Sequence, residues 1–229
     1  VILVLERKIK YMSELKNYIS NSYINLKLHQ PFCSVNKNTI PLDLKKDIDG
    51  LISEDNRILD LVYSRALDIF NDLFDDEDDI LFIINKYDHF QWEIIQSENG
   101  KYDCKYLYDE PSYTQKHIRI NPYIGNKDLL KNLNCIATDL GKTNDVGIKN
   151  VYNFYIDCKV KDIKYKRLIR ELIEDDLVNN FKGMADYYIV HKKKEYVYHL
   201  CNDEWIDLSF NKDKDFEKFK EKYSKYIHD

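Results

Sequence analysis

From Ile58 to Phe74 the apolar positions recur every three or four residues. Ile58, Val62, Ala66, Ile69 and Leu73 form one line, and Leu59, Tyr63, Leu67, Phe70 and Phe74 widen it. That period predicts a helix with a broad buried face. Ser53 is placed to cap it, and Glu54 and Asp55 stand where the helix dipole favours acids. At Ile80 the pattern changes. "ILFII" (Ile80 to Ile84) contains no polar position, as expected of a strand covered on both faces. "VYNFYIDCKV" alternates instead, putting Tyr152, Phe154, Ile156, Cys158 and Val160 on one face and Asn153, Tyr155, Asp157 and Lys159 on the other.

The remaining elements follow from the same two periods. A second helix carries Tyr165, Leu168, Ile169, Leu172, Ile173, Leu177 and Phe181 on one face, with Asp162 as its expected cap and Gly183 as its stop. "DYYIVH", "EYVYHLC" and "WIDLSF" read as consecutive strands, the first two joined by a tight "KKKE" turn, and "DFEKFKEKYSKYI" reads as a closing helix. A short helix "MSELKNYISNSYI", a strand from Thr39 to Leu44, and strands "QWEIIQ", "YDCKYLY" and "KHIRI" complete the reading. The order predicts an α+β fold: a mostly antiparallel mixed sheet with helices packed against it. Residues 12–229 are expected to form one domain, with a subdomain boundary near 140–150 in the polar stretch "DLGKTNDVGIKN". Val1 to Tyr11, ahead of Met12, is expected to be an extension.

Composition narrows the function. With 44% hydrophobic and 33% charged residues among 229, the chain is that of a globular protein, not a disordered one. A net charge of -5 does not suit a non-specific nucleic-acid binder, which needs a basic surface, and better suits a basic protein partner. No run approaches the roughly 20 apolar residues of a transmembrane helix, so a soluble, cytoplasmic protein without a membrane partner is expected. The five cysteines have no C-x-x-C spacing and read as free thiols. The six histidines form no H-x-x-x-H or His–Asp cluster; His199 and Cys201 share a strand face, and an ordinary sheet position is the expected reading. There is no G-x-S-x-G elbow and no glycine-rich phosphate loop. No cofactor and no metal are expected, and the oligomeric state is not legible.

Two constellations stand out. Five consecutive carboxylates, Asp75, Asp76, Glu77, Asp78 and Asp79, follow the first helix, at the end where its dipole disfavours acids. They lack the alternating ligands and glycine of a calcium loop. Either they form a solvated turn that keeps "ILFII" from aggregating, or Asp75, Asp76 and Glu77 dock a basic partner. The second constellation is "FYIDCK", where Asp157 and Lys159 share a strand face. Asp-x-Lys is the arrangement of Mg²⁺-dependent nucleases, the acid holding metal and the lysine steadying the attacking water; Asp145 or Asp139 would supply the second acid. In a chain this charged, the same pair also arises as plain surface.

"YSRALDIFNDLFDDEDDILFIINKY" resembles the bacterial domain-of-unknown-function family 3885 (DUF3885) through Tyr63, Arg65, Ala66, Leu73, Phe74 and Asp79. "IKYKRLIRELIEDDL", "ADYYIVHKKKEYVYHLCNDEWIDLSF" and "EKFKEKYSKYI" are similar to its later segments, in the same order. The chain is a divergent member by this measure. "IPLDL" keeps Ile40 and Leu44 but has Asp43 for the family's glutamate and Pro41 for its arginine, and "NDEW" keeps Asp203 but has Glu204 and Trp205 for Arg and Gly. The family brings no reaction to carry over. Some stand-alone bacterial proteins of this kind look like products of toxin–immunity loci. The missing catalytic constellation, the acidic balance and the resemblance together lead to the expectation of a non-enzymatic protein that binds a macromolecular, toxin-like partner as an immunity- or antitoxin-type inhibitor. The spacing of Asp157 and Lys159 supplies the alternative, a Mg²⁺-dependent nuclease.

Overall fold

The computed structural model describes residues 37–48, 56–87, 90–96, 102–108, 123–139, 150–177, 185–201 and 205–227. Strand β1 (Thr39–Asp43) precedes helix α1 (Asn56–Leu73), which leads through the acidic turn into β2 (Asp79–Tyr87). Strands β3 (Phe90–Gln96) and β4 (Tyr102–Tyr108) pair as a separate two-stranded sheet. A 3₁₀ segment (Lys127–Asn132), β5 (Asn134–Asp139) and β6 (Asn150–Lys159) follow. A 3₁₀ turn (Val160–Asp162) then enters α2 (Tyr165–Leu177). The meander β7 (Ala185–His191), β8 (Tyr196–Leu200) and β9 (Trp205–Phe210) precedes α3 (Asp213–Lys222) and a last 3₁₀ turn (Ser224–Tyr226). The main sheet has the order β1-β9-β8-β7-β2-β6-β5, and every described ladder is antiparallel. The fold is α+β, as the element order implies. The segment at 1–11, the short helix from Met12, the strand "KHIRI", the residues around the expected boundary at 140–150 and the stop at Gly183 lie outside the described residues, Asn150 at the start of β6 apart.

One face of the sheet carries the main core. Ile40, Leu42, Ile80, Phe82, Ile84, Phe154, Ile156, Ile189, Tyr198, Ile206 and Leu208 meet Ile58, Val62, Ala66, Ile69 and Leu73 of α1 and Leu168, Ile169 and Ile173 of α2. Phe70 stacks on Tyr165 of α2 (4.4 Å) and meets Tyr198 of β8 edge-on (5.3 Å). The Tyr198 hydroxyl, fully buried, donates to the Ala66 carbonyl at 3.2 Å. The motif residues that carry the resemblance thus have structural work. Arg65 donates to the carbonyls of Leu44 (2.7 Å) and Lys46 (2.8 Å), tying α1 to the turn after β1. Tyr63 takes the Arg170 guanidinium at 5.3 Å, linking α1 to α2.

The opposite face of the sheet is buried as well. Leu81, Ile83, Tyr188, Val190 and Val197 are at most 5% exposed, so β2 is covered on both sides, as its unbroken apolar run predicts. The structure differs from expectation at Asp162. Its carboxylate accepts from the Lys159 backbone N–H (3.0 Å) and closes the 3₁₀ turn, while the first bond of α2 runs from Leu168 N–H to the Lys164 carbonyl. The extra turn moves the helix start two residues beyond the reach of an Asp162 cap.

Candidate functional site

The acidic run is an ordered corner rather than a loose tail. Asp78 N–H donates to the Asp75 carbonyl (3.0 Å), and the Asp78 carboxylate accepts from Asp75 N–H (2.8 Å), so the turn closes on itself. The 3₁₀ turn after β6 then zips onto it: Val160 N–H donates to the Asp78 carbonyl and Lys161 N–H to the Asp76 carbonyl. Lys159 Nζ reaches the Glu77 carbonyl (2.9 Å) and lies 3.4 Å from the Asp79 carboxylate, and Lys161 Nζ pairs with Glu77 at 2.7 Å. The Lys161 ammonium holds the Glu77 carboxyl below the usual range, and Glu77 holds the lysine above its own. These lysines offset the repulsion of the helix dipole. Asp75 and Asp76 remain exposed.

Asp157 and Lys159, the Asp-x-Lys pair, project from one face of β6, but each is engaged elsewhere. Asp157 is exposed and pairs with Lys192 at 2.5 Å, while Lys159 is bound to the acidic corner. Asp145 lies outside the described residues, and for Asp139 only the backbone of β5 is described.

A second constellation sits on the buried second face. A polar row crosses the sheet there, with Asn153 of β6 donating to Asn85 of β2, Asn85 in register with Asp186 of β7, and His199 of β8 in register with Asp207 of β9. Asn85, His199 and Asp207 are at most 3% exposed, and Cys201 is half-buried. The Cys201 thiol donates to Asp207 Oδ2 (3.3 Å), and its sulfur is 3.3 Å from His199 Nδ1. His199 Nδ1 is 3.7 Å from Asp207 Oδ2, and Nε2 is 3.9 Å from Asp186 Oδ1. The Tyr188 ring stacks on the imidazole at 4.3 Å.

Burial works against a charged His199, but the Asp186 and Asp207 carboxylates around it outweigh burial and hold its pKa well above the ordinary value. Burial, with Asp207 adding, pushes the Cys201 thiol up to about 11. Among the described residues, His199, Cys201 and Asp207 are the group of acid, thiol and imidazole side chains close enough to share a metal ion. The sequence pairs His199 with Cys201 through their alternate spacing. Asp207 and Asp186 are missed because only the strand register brings them near; the available signal is the short polar interval between "HLC" and "WIDLSF" in the sequence, with β8 and β9 antiparallel in the sheet.

The geometry defines an α+β protein built on one antiparallel sheet with buried polar residues on its second face. The family model described as "Domain of unknown function (DUF3885)" matches residues 15–229, so the chain belongs to that family. No curated protein and no solved structure matches it. Among the described residues no helix is long and apolar enough to cross a membrane.

Proposed function

We propose that this protein acts by binding a macromolecular partner rather than by turning over a substrate, as a cytoplasmic, immunity-type inhibitor of a basic, toxin-like bacterial protein. The observation that supports this is the acidic corner: a surface turn whose backbone is fixed by the Asp75–Asp78 bonds and the β6 zip, with Asp75 and Asp76 exposed. A fixed charged surface speeds association and selects partners without a large ordering cost. The engagement of Asp157 by Lys192 and of Lys159 by the corner gives the nuclease reading no comparable support.

The test is kinetic. The chain would be mixed with the purified product of an adjacent toxin-like gene, and association measured from low to physiological salt. Asp75→Asn, Asp76→Asn and Glu77→Gln together are expected to slow association several-fold and to flatten its salt dependence. An unchanged rate and slope would remove the corner from the interface, and absence of saturable binding would remove the inhibitor reading. Mg²⁺-dependent cleavage of DNA or RNA that disappears in Asp157→Ala would replace it with the nuclease.

A further inference from the structure

We propose that His199, Cys201 and Asp207 form a binding site for a divalent transition metal of the zinc class, with Asp186 as the positioning partner of the imidazole. The three donor atoms come from two adjacent strands and the residue just past the end of one. His199 and Asp207 are opposite each other in the β8–β9 register, and Cys201 follows the last residue of β8, its N–H donating to the Trp205 carbonyl of β9. The donors make a triangle with edges of 3.3, 3.3 and 3.7 Å. Donors held tetrahedrally around zinc by bonds of 2.0–2.3 Å stand about 3.3–3.6 Å apart. An ion therefore fits among the three donors with little movement of either strand.

The chemistry of the set is selective. One sulfur, one imidazole nitrogen and one carboxylate oxygen suit zinc, cobalt(II) or iron(II), and do not suit magnesium or calcium, which take oxygen donors. A trio held only by hydrogen bonds can have similar spacing, so the outer partners matter. With the ion on Nδ1, the far nitrogen Nε2 stands 3.9 Å from the Asp186 carboxylate, the side from which a carboxylate–histidine–metal relay would orient the ring once that gap closes. Tyr188, stacked at 4.3 Å, holds the plane of the ring. Three protein ligands leave a fourth position for water or an incoming donor. The site stands independently of the partner-binding reading.

The probe is cobalt(II), added to the full chain after treatment with chelator and competed with zinc. One equivalent is expected to bind, with a thiolate-to-cobalt band in the near ultraviolet and the strong visible bands of a tetrahedral site, both erased by zinc. Cys201→Ser is expected to lose the near-ultraviolet band and to weaken binding by about 100-fold or more, whereas Cys158→Ser keeps both. Asp186→Asn is expected to weaken binding by about 10–100-fold with the band retained. Circular dichroism checks that each variant folds. If Cys201→Ser does not, wild-type chain is alkylated with and without zinc and Cys201 labelling read by mass spectrometry; protection by zinc is expected. Folded wild-type chain that binds no cobalt, a band that survives Cys201→Ser, or Cys201 labelling unchanged by zinc would each overturn the site.

Discussion

His191 Nε2 lies 3.1 Å from Asp78 Oδ2, although the histidine is only 1% exposed. Its Nδ1 accepts from the backbone N–H groups of Lys193 and Lys194, so the neutral ring keeps its proton on Nε2, facing the acid. Burial lowers the pKa of His191 from 6.5, against the pull of Asp78. Partial burial of Asp78 works the other way, but Asp75 N–H, His191 and Lys194 hold that carboxyl below its ordinary value.

Both shifts predict acid sensitivity. Below about pH 6.5 the unfolded chain takes a proton on His191 that the folded chain resists, so stability falls as pH drops from there toward the folded pKa. Asp78 contributes stability that is present above its unfolded value of 3.8 and is lost as pH falls through the lower folded one. Urea unfolding between pH 7 and pH 5 is expected to show declining stability in the wild type and a flatter profile in His191→Gln. Equal slopes would place the sensitivity elsewhere.

Arg65→Met keeps the aliphatic stem but removes both carbonyl contacts and the approach of the guanidinium to Tyr226 at 5.2 Å. The expected loss is about 1.5–3 kcal/mol, the range for hydrogen bonds to a charged group, read as a lower urea midpoint with unchanged slope.

Tyr198→Phe removes one buried donor and leaves the ring, so the expected cost is about 1 kcal/mol. Ala66→Leu at the same contact forces a larger side chain under a fully buried tyrosine, and should cost about 1–3 kcal/mol. If the order of the two reverses in equilibrium unfolding, the packing between α1 and β8 is looser than its geometry implies.

Gly125→Ala would place a methyl group 3.1 Å from the Asp162 carbonyl oxygen, which already accepts from Gly125 N–H at 2.7 Å. Backbone on both sides must give. A loss of about 1 kcal/mol, or about 2–4 °C in melting temperature, is expected; a neutral result would mean that the 3₁₀ turn adjusts freely.

The helices and the core strands are legible because burial imposes a period that the residues must satisfy. Ile58 to Leu73 and Ile80 to Ile84 state it openly. What the chain hides is whatever depends on distant pairing. Lys159 and Lys161 engage Glu77 from 82 and 84 positions away, so the acidic run reads as isolated until the two turns are zipped together. Tyr155 alternates onto the face it shares with Asp157, yet that face is largely buried too, which alternation within one strand does not reveal. His199 and Cys201 were visible as neighbours, while Asp207 and Asp186 required the register of three strands.

The outer strand β1 has one flank occupied by β9 and, at Leu42, a bridge to Ile227 on the other. Lys46 Nζ also holds the Ile227 carbonyl at 2.5 Å. Pro41, which departs from the family pattern, stands mid-strand with no N–H to offer a further chain. Together, among the described residues, they interrupt the outer rim of β1, so a neighbouring molecule meets a broken ladder there rather than a continuous one. Trimming the few residues from Tyr226 onward would remove part of that interruption, and the expected consequence is self-association through β1 rather than simple loss of fold.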